Sequence, residues 1–173
     1  MRLFIAIDCN EIKDFFVSCQ DKLPKHGKFT FPEEFHITLK FLGEVDDAKV
    51  EEVVKLLKNV EFEEFTAKTK GIGFFVPSFL RVVFVEVPTP DIFELQKMID
   101  EALLPMFPKE KKFESHVTLA RIKYAANKKD YIDKIQRLKI DEEKFQVKDF
   151  LLVKSTLMPD GPIYETVERY PSK

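Results

Sequence analysis

One polar tetrapeptide occurs twice in this chain, 80 residues apart, as His36-Ile37-Thr38-Leu39 and His116-Val117-Thr118-Leu119. The same offset aligns further features of the two halves: Leu3-Phe4-Ile5 with Val83-Phe84-Val85, Ile12 with Ile92, Phe65 with Phe145 and Lys68 with Lys148. A constant offset between matching segments is the sequence signature of an internal duplication. We therefore predict two similar α+β lobes that are related by a pseudo-two-fold axis and bring the two histidine segments face to face.

The apolar periodicity gives both halves the same order of elements: strand, helix, histidine-bearing strand, helix, strand. The predicted helices, of which Asn10 is expected to cap the first, cover residues 11–23, 46–58, 90–103 and 129–138. The predicted strands cover residues 2–8, 29–31, 35–41, 62–70, 80–87, 115–122, 145–156 and 163–169. No linker interrupts them, so we expect residues 1–173 to form one bilobal α+β domain, with two mostly antiparallel sheets flanked by helices and a central cleft.

The composition argues against several classes of protein. The 28 basic and 30 acidic residues leave a net charge of −2, which argues against binding of nucleic acid or anionic membranes through bulk charge. No apolar run reaches the roughly 20 residues of a membrane span, and residues 1–8 are typical of a strand rather than a signal peptide. Cys9 and Cys19 lack the spacing of a redox or metal motif, so we expect buried thiols. We expect a soluble, cytoplasmic monomer.

The spacing within each tetrapeptide explains why histidine and threonine occur together. Residues i and i+2 of a strand lie on the same face, so His36 shares a face with Thr38, and His116 shares one with Thr118. The chain has only three histidines, and packing gives no reason to repeat His-x-Thr, because apolar side chains pack better. We interpret these four residues as a catalytic set.

Two imidazoles flanked by two hydroxyls supply what cleavage of a phosphodiester requires. A neutral imidazole takes a proton from the nucleophile, a protonated one gives a proton to the leaving oxygen, and hydroxyl donors bind the non-bridging oxygens. A metal site is the main alternative for two facing histidines. Third and fourth ligands at metal-like spacing are missing from the sequence, however, and His26 lies in a polar loop. We therefore expect neither a metal nor another cofactor.

Several segments together resemble one family: FHITLKFLGEV, SHVTLARIK, RLFIAID, GIGFFVPSFLRVVF and STLMPDGPIYE. They are similar to the two-histidine (2H) phosphoesterases, specifically the bacterial and archaeal RNA 2′,3′-cyclic phosphodiesterases, historically called 2′-5′ RNA ligases. The resemblance covers essentially the whole chain. It implies a bilobal α+β fold, metal-free hydrolysis of terminal 2′,3′-cyclic phosphates to 2′-phosphates, and His36, Thr38, His116 and Thr118 as the catalytic residues.

Three further residues are candidates for substrate binding. Arg121 matches a basic residue that often follows the second motif in this family, where a guanidinium would hold phosphate oxygens, and a surface arginine is the alternative. Lys40 shares the face of His36 and Thr38 if the strand is regular, and would then line the cleft. Tyr164 resembles a position near the family's cleft, with plain packing as the alternative.

The aromatic and lysine-rich segments have two interpretations each. The family commonly carries Trp where this chain has Phe84, so Phe75 or Phe79 is the alternative platform for a base. Five other phenylalanines are assigned to packing: Phe15, Phe16, Phe41, Phe65 and Phe150. The lysines of residues 109–112 and 128–129 are interpreted as solvated faces, with an approach path for an RNA backbone as the alternative.

Three functions stay open at this point. The first is a metal-independent phosphodiesterase that acts on RNA ends, tRNA among them, or on small cyclic nucleotides. The second is a non-catalytic module that binds RNA ends. The third is 2′-5′ RNA ligation as a reverse or side activity, which microscopic reversibility allows.

The charged neighbours of each histidine predict its role. Three carboxylates near His36 in sequence would raise its pKa: Glu33, Glu34 and Glu44. Two cations close after His116 would lower the pKa of that ring: Arg121 and Lys123. We therefore predict His36 as the acid that protonates the leaving 3′-oxygen and His116 as the base that activates water, with both limbs of the pH profile near neutrality.

Overall fold

The computed structural model describes residues 1–75 and 81–173, which form an α+β fold. The strands are β1 (Arg2–Asp8), β2 (Gly27–Thr30), β3 (His36–Glu44), β4 (Phe65–Lys68), β5 (Ile72–Phe74), β6 (Val82–Glu86), β7 (His116–Ala125), β8 (Lys144–Val147), β9 (Asp149–Met158) and β10 (Gly161–Pro171). The helices are α1 (Lys13–Lys22), α2 (Asp47–Leu57), α3 (Pro90–Leu103) and α4 (Lys128–Arg137). The predicted start of a strand at Leu80, and the candidate platform Phe79, lie outside the described residues.

Local differences from the predicted elements have simple causes. A short 3₁₀ turn (Asn10–Ile12) precedes α1, and the Asn10 side chain accepts a hydrogen bond from the Phe35 N–H at 3.0 Å instead of capping the helix. The predicted strand over residues 145–156 is two strands, because β8 and β9 belong to different sheets. Strand β5 was not predicted, since its three residues are too short for a periodicity signal.

The strands form one large sheet in the order β10-β9-β1-β3-β7-β6-β5, with β2 also paired to β7, and a small sheet of β4 and β8. All pairs between described strands run antiparallel. The helices cover the face of the large sheet that carries the main core. The predicted α+β class with antiparallel sheets flanked by helices is confirmed, and the contact between β3 and β7 joins the sheets of the two halves into one.

Two strand pairings show the pseudo-two-fold axis directly. Ile37 of β3 pairs with Val117 of β7, and Thr66 of β4 pairs with Gln146 of β8. In both pairs a residue meets its own counterpart 80 positions along the chain. This is the register that an antiparallel ladder adopts when a two-fold axis passes through it.

The first strand of each half follows a different offset. Asp8 of β1 pairs with His36, and Glu86 of β6 pairs with His116, so Asp8 and Glu86 are counterparts 78 residues apart. The predicted alignment of residues 3–5 with residues 83–85 is therefore wrong by two positions. A shift of two residues keeps every side chain on the same face of a strand, so the hydrophobic pattern could not detect it.

Both histidine strands contain a bulge directly after the His-x-Thr motif. In β3 the register moves from Thr38 to Lys40 between successive residues of β1, which leaves Leu39 as the extra residue. In β7 the register moves from Thr118 to Ala120, which leaves Leu119 as the extra residue. A bulge of one residue reverses the facing of the side chains that follow it.

The bulge turns Lys40 away from the face of His36. The Lys40 ammonium is buried and donates to Asp100 Oδ1 at 2.5 Å and to the Pro108 carbonyl at 2.8 Å. Burial alone would raise the pKa of Asp100, but hydrogen bonds from Lys40, the Glu110 N–H and Gln96 hold this pKa below its usual value. The prediction that Lys40 lines the cleft is wrong, because the strand is not regular at this residue.

The predicted packing residues differ in burial, and Phe15 and Phe65 are partly buried and packed against the core. Phe16 and Phe150 are fully buried, and Cys9 and Cys19 are buried thiols as expected. Phe41 is 48% exposed and is not a core residue, because the bulge moves it to the cleft face, where it pairs with Phe4 of β1. In the described part of the chain, no helix is long and apolar enough to cross a membrane.

We predict that Lys40→Met lowers the free energy of unfolding by about 3–5 kcal/mol, because it leaves the buried Asp100 carboxylate without its cation. Urea denaturation measures this change. Lys55→Met is the matched control: its exposed i,i+4 ion pair with Glu51 should contribute less than about 0.5 kcal/mol. Unchanged stability together with a raised KM would instead restore Lys40 as a substrate-binding residue.

Candidate active site

The two His-x-Thr motifs line one cleft of about 200 Å³ on the β3–β7 seam. The antiparallel pairing of Ile37 with Val117 places His36 opposite Thr118 at one end of the seam, and Thr38 opposite His116 at the other. Ile37 and Val117 themselves are fully buried, so the alternation of the strands directs the four polar side chains to the cleft. The structure thus brings together all four predicted catalytic residues.

Arg121 also lies at this cleft, on β7 after the bulge at Leu119. It lines the same cleft and pairs in register with Thr30 of β2 and Val82 of β6. Because β7 runs antiparallel to β3, the stretch of strand from His116 to Arg121 carries the guanidinium to the His36 end of the seam. The predicted proximity of Arg121 to the motifs is therefore present in the structure.

Each imidazole packs against two aromatic rings. The centroid of the His36 ring lies 5.2 Å from that of Phe4 and 5.3 Å from that of Tyr164, which meets it edge-on. The His116 ring lies 5.0 Å from Phe84 and 4.8 Å from Phe75, which also meets it edge-on. Such contacts restrict the orientation of a ring.

Three of the rings that contact the histidines lie at different places relative to the cleft: Tyr164, Phe84 and Phe75. Tyr164 contacts His36 but lies in a neighbouring recess rather than among the residues that line the cleft. Phe84 is buried and supports the His116 ring. Phe75 lines the cleft itself, so of the two platforms expected from the sequence it is the one within the described residues.

His116 is held through its Nδ1 atom, which lies 2.8 Å from the Glu114 carbonyl oxygen. The carbonyl can only accept, so Nδ1 carries the proton and Nε2 is left to exchange a proton with substrate. This hydrogen bond is local, from residue i to residue i−2. It therefore fixes the tautomer of the His116 ring without help from a distant side chain.

Burial is the main cause that lowers the pKa of both histidines. For His36, burial and then the charge of Arg121 lower the pKa to about 4, against an opposing effect of Asp8. For His116, burial lowers the pKa, the Glu114 hydrogen bond and charge oppose this, and Arg121 contributes least. The pKa of His36 is therefore depressed further than that of His116.

This order is the opposite of the pKa order predicted from sequence neighbours. Residues next to His36 in sequence were expected to raise its pKa, but the dominant influences are burial and the Arg121 cation, 85 positions away. The cation expected to act on His116 acts more strongly on His36, because the antiparallel strands place it at that end of the seam. In the free protein, His116 is the imidazole that holds a proton more readily.

Three further residues of the cleft were not predicted, of which Val82 lies on β6. Pro32 and Glu34 line the cleft from the segment before β3. Glu34 has a counterpart at the same offset of 80, Glu114, two residues before the second histidine. The repeat itself was therefore a signal for this position.

The described residues contain no group of three or more histidine, cysteine, aspartate or glutamate side chains arranged to hold a metal ion. His26 is exposed just before β2 and is not among the residues that line the cleft. The expectation of a metal-free reaction stays a prediction, which chelation tests.

We predict that NMR titration of the free protein gives His36 a lower pKa than His116, because Arg121 and burial act together on His36. Replacing Arg121 by Gln should raise the pKa of His36 more than that of His116. Lys123→Gln is the control, since it removes a charge from the same strand. Equal shifts of both rings in the Arg121 variant, or a higher pKa for His36 in the unaltered protein, would contradict this electrostatic order.

The comparisons with known proteins agree with the fold and with its division into two halves. A family model described as LigT like Phosphoesterase matches residues 7–81 and 83–164. A Methanocaldococcus jannaschii protein named RNA 2′,3′-cyclic phosphodiesterase is 39% identical over 98% of this chain and 100% of its own length. A Methanothermobacter thermautotrophicus protein of the same name is 32% identical over 97% of each chain.

Among solved structures, the protein TT0787 of Thermus thermophilus superposes with a TM-score of 0.80 at 25% identity. The match covers 99% of this chain and 97% of that one. The strand order and the cleft described above thus occur within a fold shared over the full length. On the match of the family model and the identity to these relatives, the chain belongs to the LigT-like phosphoesterase family.

Proposed function

We propose that this protein hydrolyses 2′,3′-cyclic phosphates at RNA ends, or in small cyclic nucleotides, to 2′-phosphates without a metal ion. The observation that carries the proposal is the placement of two His-x-Thr motifs at opposite ends of one cleft. The names of relatives that share the full length of the chain support the same substrate class. Both motifs belong to one chain, so the proposed reaction needs no residue from a second subunit.

The charges around the two histidines favour one division of labour. His36, with a pKa of about 4, is neutral near pH 7 and accepts the proton of the attacking water. His116, whose Nδ1–H donates to the Glu114 carbonyl, is more easily protonated and gives its Nε2 proton to the leaving 3′-oxygen. This reverses the roles predicted from the sequence.

The remaining groups of the cleft stabilise the negative charge on the phosphoryl oxygens in the transition state. Water attacks phosphorus as His36 takes its proton, the bond from phosphorus to the 3′-oxygen breaks, and His116 protonates that oxygen. The Thr38 and Thr118 hydroxyls and the Arg121 guanidinium are the donors available to the non-bridging oxygens. With the 5′-hydroxyl of a second RNA in place of water, the same groups would form a 2′-5′ linkage as the 3′-oxygen leaves. Ligation is therefore a side activity that this site allows, and its reverse is cleavage of a 2′-5′ linkage.

We predict that His36→Ala and His116→Ala each lower the rate of hydrolysis of a nucleoside 2′,3′-cyclic phosphate by roughly 10²–10⁴, because each removes a proton-transfer group. Thr38→Val and Thr118→Val should cost less, about 1–3 kcal/mol of transition-state stabilisation. Phosphorus NMR should identify a 2′-phosphate product.

His26→Ala is the matched control and should leave the rate unchanged, while thermal unfolding checks that every variant is folded. Activity should also survive excess EDTA. A histidine variant that keeps more than about a tenth of the rate would contradict the mechanism. Binding of an RNA end without turnover would instead support the non-catalytic module, and recovery by zinc or manganese after chelation would support a metal site.

We predict a bell-shaped pH dependence of kcat/KM on the acidic side of neutrality. The rate rises as pH increases through the pKa of His36, about 4, because the base must be neutral. It falls as pH increases through the pKa of His116, which burial lowers from its usual value, because the acid must be protonated. Circular dichroism over the same range separates titration from unfolding, and a profile centred above about pH 7 would contradict the order of the two pKa values.

A further inference from the structure

One buried amide connects the two halves of the molecule on the core side of the large sheet. Gln20 lies on α1, which packs against β7, and is buried. Its side-chain Nε2 donates to the Leu119 carbonyl at 3.0 Å and to the Pro32 carbonyl at 2.9 Å. Leu119 belongs to the second half of the chain, whereas Gln20 and Pro32 belong to the first. A single side chain thus joins the two halves.

Both carbonyls that accept from Gln20 lie in segments that build the cleft. Leu119 is the extra residue of the bulge in β7, and Arg121 follows it by two positions. Pro32 lines the cleft itself, four positions before His36. A bulge leaves its extra residue outside the ladder, and a buried carbonyl there needs a donor from elsewhere. The amide on α1 supplies this donor.

The second half of the chain makes the same connection with a different residue. Asp100 on α3 is the counterpart of Gln20, 80 positions along the chain, and is also buried. It joins Lys40, directly after the bulge of β3, to the Glu110 N–H in the segment before β7. Each helix therefore connects the bulge region of the other half's histidine strand to the segment that precedes the histidine strand of its own half.

The recurrence of this connection indicates a role beyond packing. Buried polar side chains are costly unless their hydrogen bonds are satisfied, and apolar side chains would pack at lower cost. One half uses a neutral amide and the other an ion pair. What the halves share is therefore the connection and not the residue type, and this points to the geometry of the bulges as the common requirement.

The Arg121 guanidinium is the cleft group that depends most on the bulge in β7. It lines the cleft, and its charge acts on His36. Between described residues, no hydrogen bond or ion pair holds the guanidinium itself. Its place at the cleft is therefore set by the course of the backbone that carries it.

We propose that Gln20 is a positioning residue, which holds the Arg121 guanidinium at the His36 end of the cleft. It does so by fixing the Leu119 carbonyl, and with it the bulge, against α1. The inference deepens the proposed function and rests on it, because the guanidinium is there to hold phosphate oxygens. Gln20 itself does not reach the substrate and acts through Arg121.

The His36 ring reports the position of this guanidinium. The charged groups that act on the ring are Arg121 and His116 on β7 and Asp8 on β1. Glu34, in the segment before β3, lines the same cleft. Of these groups, Arg121 is the one that follows the bulge of β7, so a shift of the bulge changes its distance from the ring.

A double-mutant cycle between Gln20 and Arg121 tests the proposal by NMR titration of the histidine rings. Gln20→Met keeps a side chain of similar size and removes its donor. We expect this variant to raise the proton affinity of His36 about threefold, because the cation moves away. The affinity of His116 should change less, since Arg121 contributes least to its pKa. In an Arg121→Gln background, the same substitution should leave the affinity of His36 unchanged.

The kinetics should follow the same pattern. Displacement of a phosphate-binding group should lower kcat/KM for a nucleoside 2′,3′-cyclic phosphate by roughly 10- to 100-fold in Gln20→Met. In the Arg121→Gln background, Gln20→Met should lower it by less than about twofold. Equal effects of Gln20→Met with and without Arg121, in the titration or in the rate, would overturn the proposal.

Val53→Ala is the matched control for a loss of stability. Val53 is a fully buried residue of α2 and is not among the residues that line the cleft. Its replacement should lower the unfolding temperature and leave the proton affinity of His36 and kcat/KM unchanged. A Gln20 variant that behaves in the same way would have lost a structural contact only, which would contradict a positioning role. If Gln20→Met does not fold, Gln20→Asn, which shortens the reach of the amide by one carbon, replaces it in the cycle.

The titration separates failure of this inference from failure of the proposed function, because it needs no turnover. If the unaltered protein hydrolyses no cyclic phosphate, the proposed function fails, while a non-additive shift of the His36 titration still supports the coupling of Gln20 to Arg121. If the unaltered protein is active and the cycle is additive, the function stands and the inference is overturned.

Discussion

The site depends on one backbone pairing, that of Ile37 with Val117 on the pseudo-two-fold axis. Both side chains are fully buried, so the seam cannot move by one residue without exposing them and burying the polar residues on either side. This register is what places each histidine opposite the threonine of the other motif. Burial of two apolar residues therefore positions four polar ones.

The bulges that follow the motifs determine which face of the sheet the side chains after each threonine occupy. Lys40 turns inward and forms a buried ion pair with Asp100, whereas its counterpart Ala120 is simply packed in the core. Phe41 and Arg121 turn toward the cleft at opposite ends of the seam. The two ends of the cleft therefore differ chemically, and the residues that make them differ lie outside the repeated tetrapeptide.

The antiparallel arrangement of β3 and β7 also determines which charges act on each histidine. A group that follows one histidine along its strand approaches the other histidine in space, which is why Arg121 acts more strongly on His36. Burial lowers both pKa values, and the Glu114 carbonyl partly offsets this for His116. Two chemically identical side chains thereby acquire different proton affinities, which is what an acid and base pair requires.

The sequence by itself determined the duplication, the α+β class and the four residues of the His-x-Thr motifs. These follow from spacing, because strand alternation and a constant offset can be read from the order of residues alone. The same alternation predicted Lys40 for the cleft and Phe41 for the core, and it failed at both because a bulge leaves no signal in the hydrophobic pattern. The two-residue shift of β1 against β6 was hidden for a related reason, since it keeps every side chain on the same face of its strand. Only the tertiary structure decided which charges lie near each imidazole, because antiparallel strands bring together residues that are far apart in the chain.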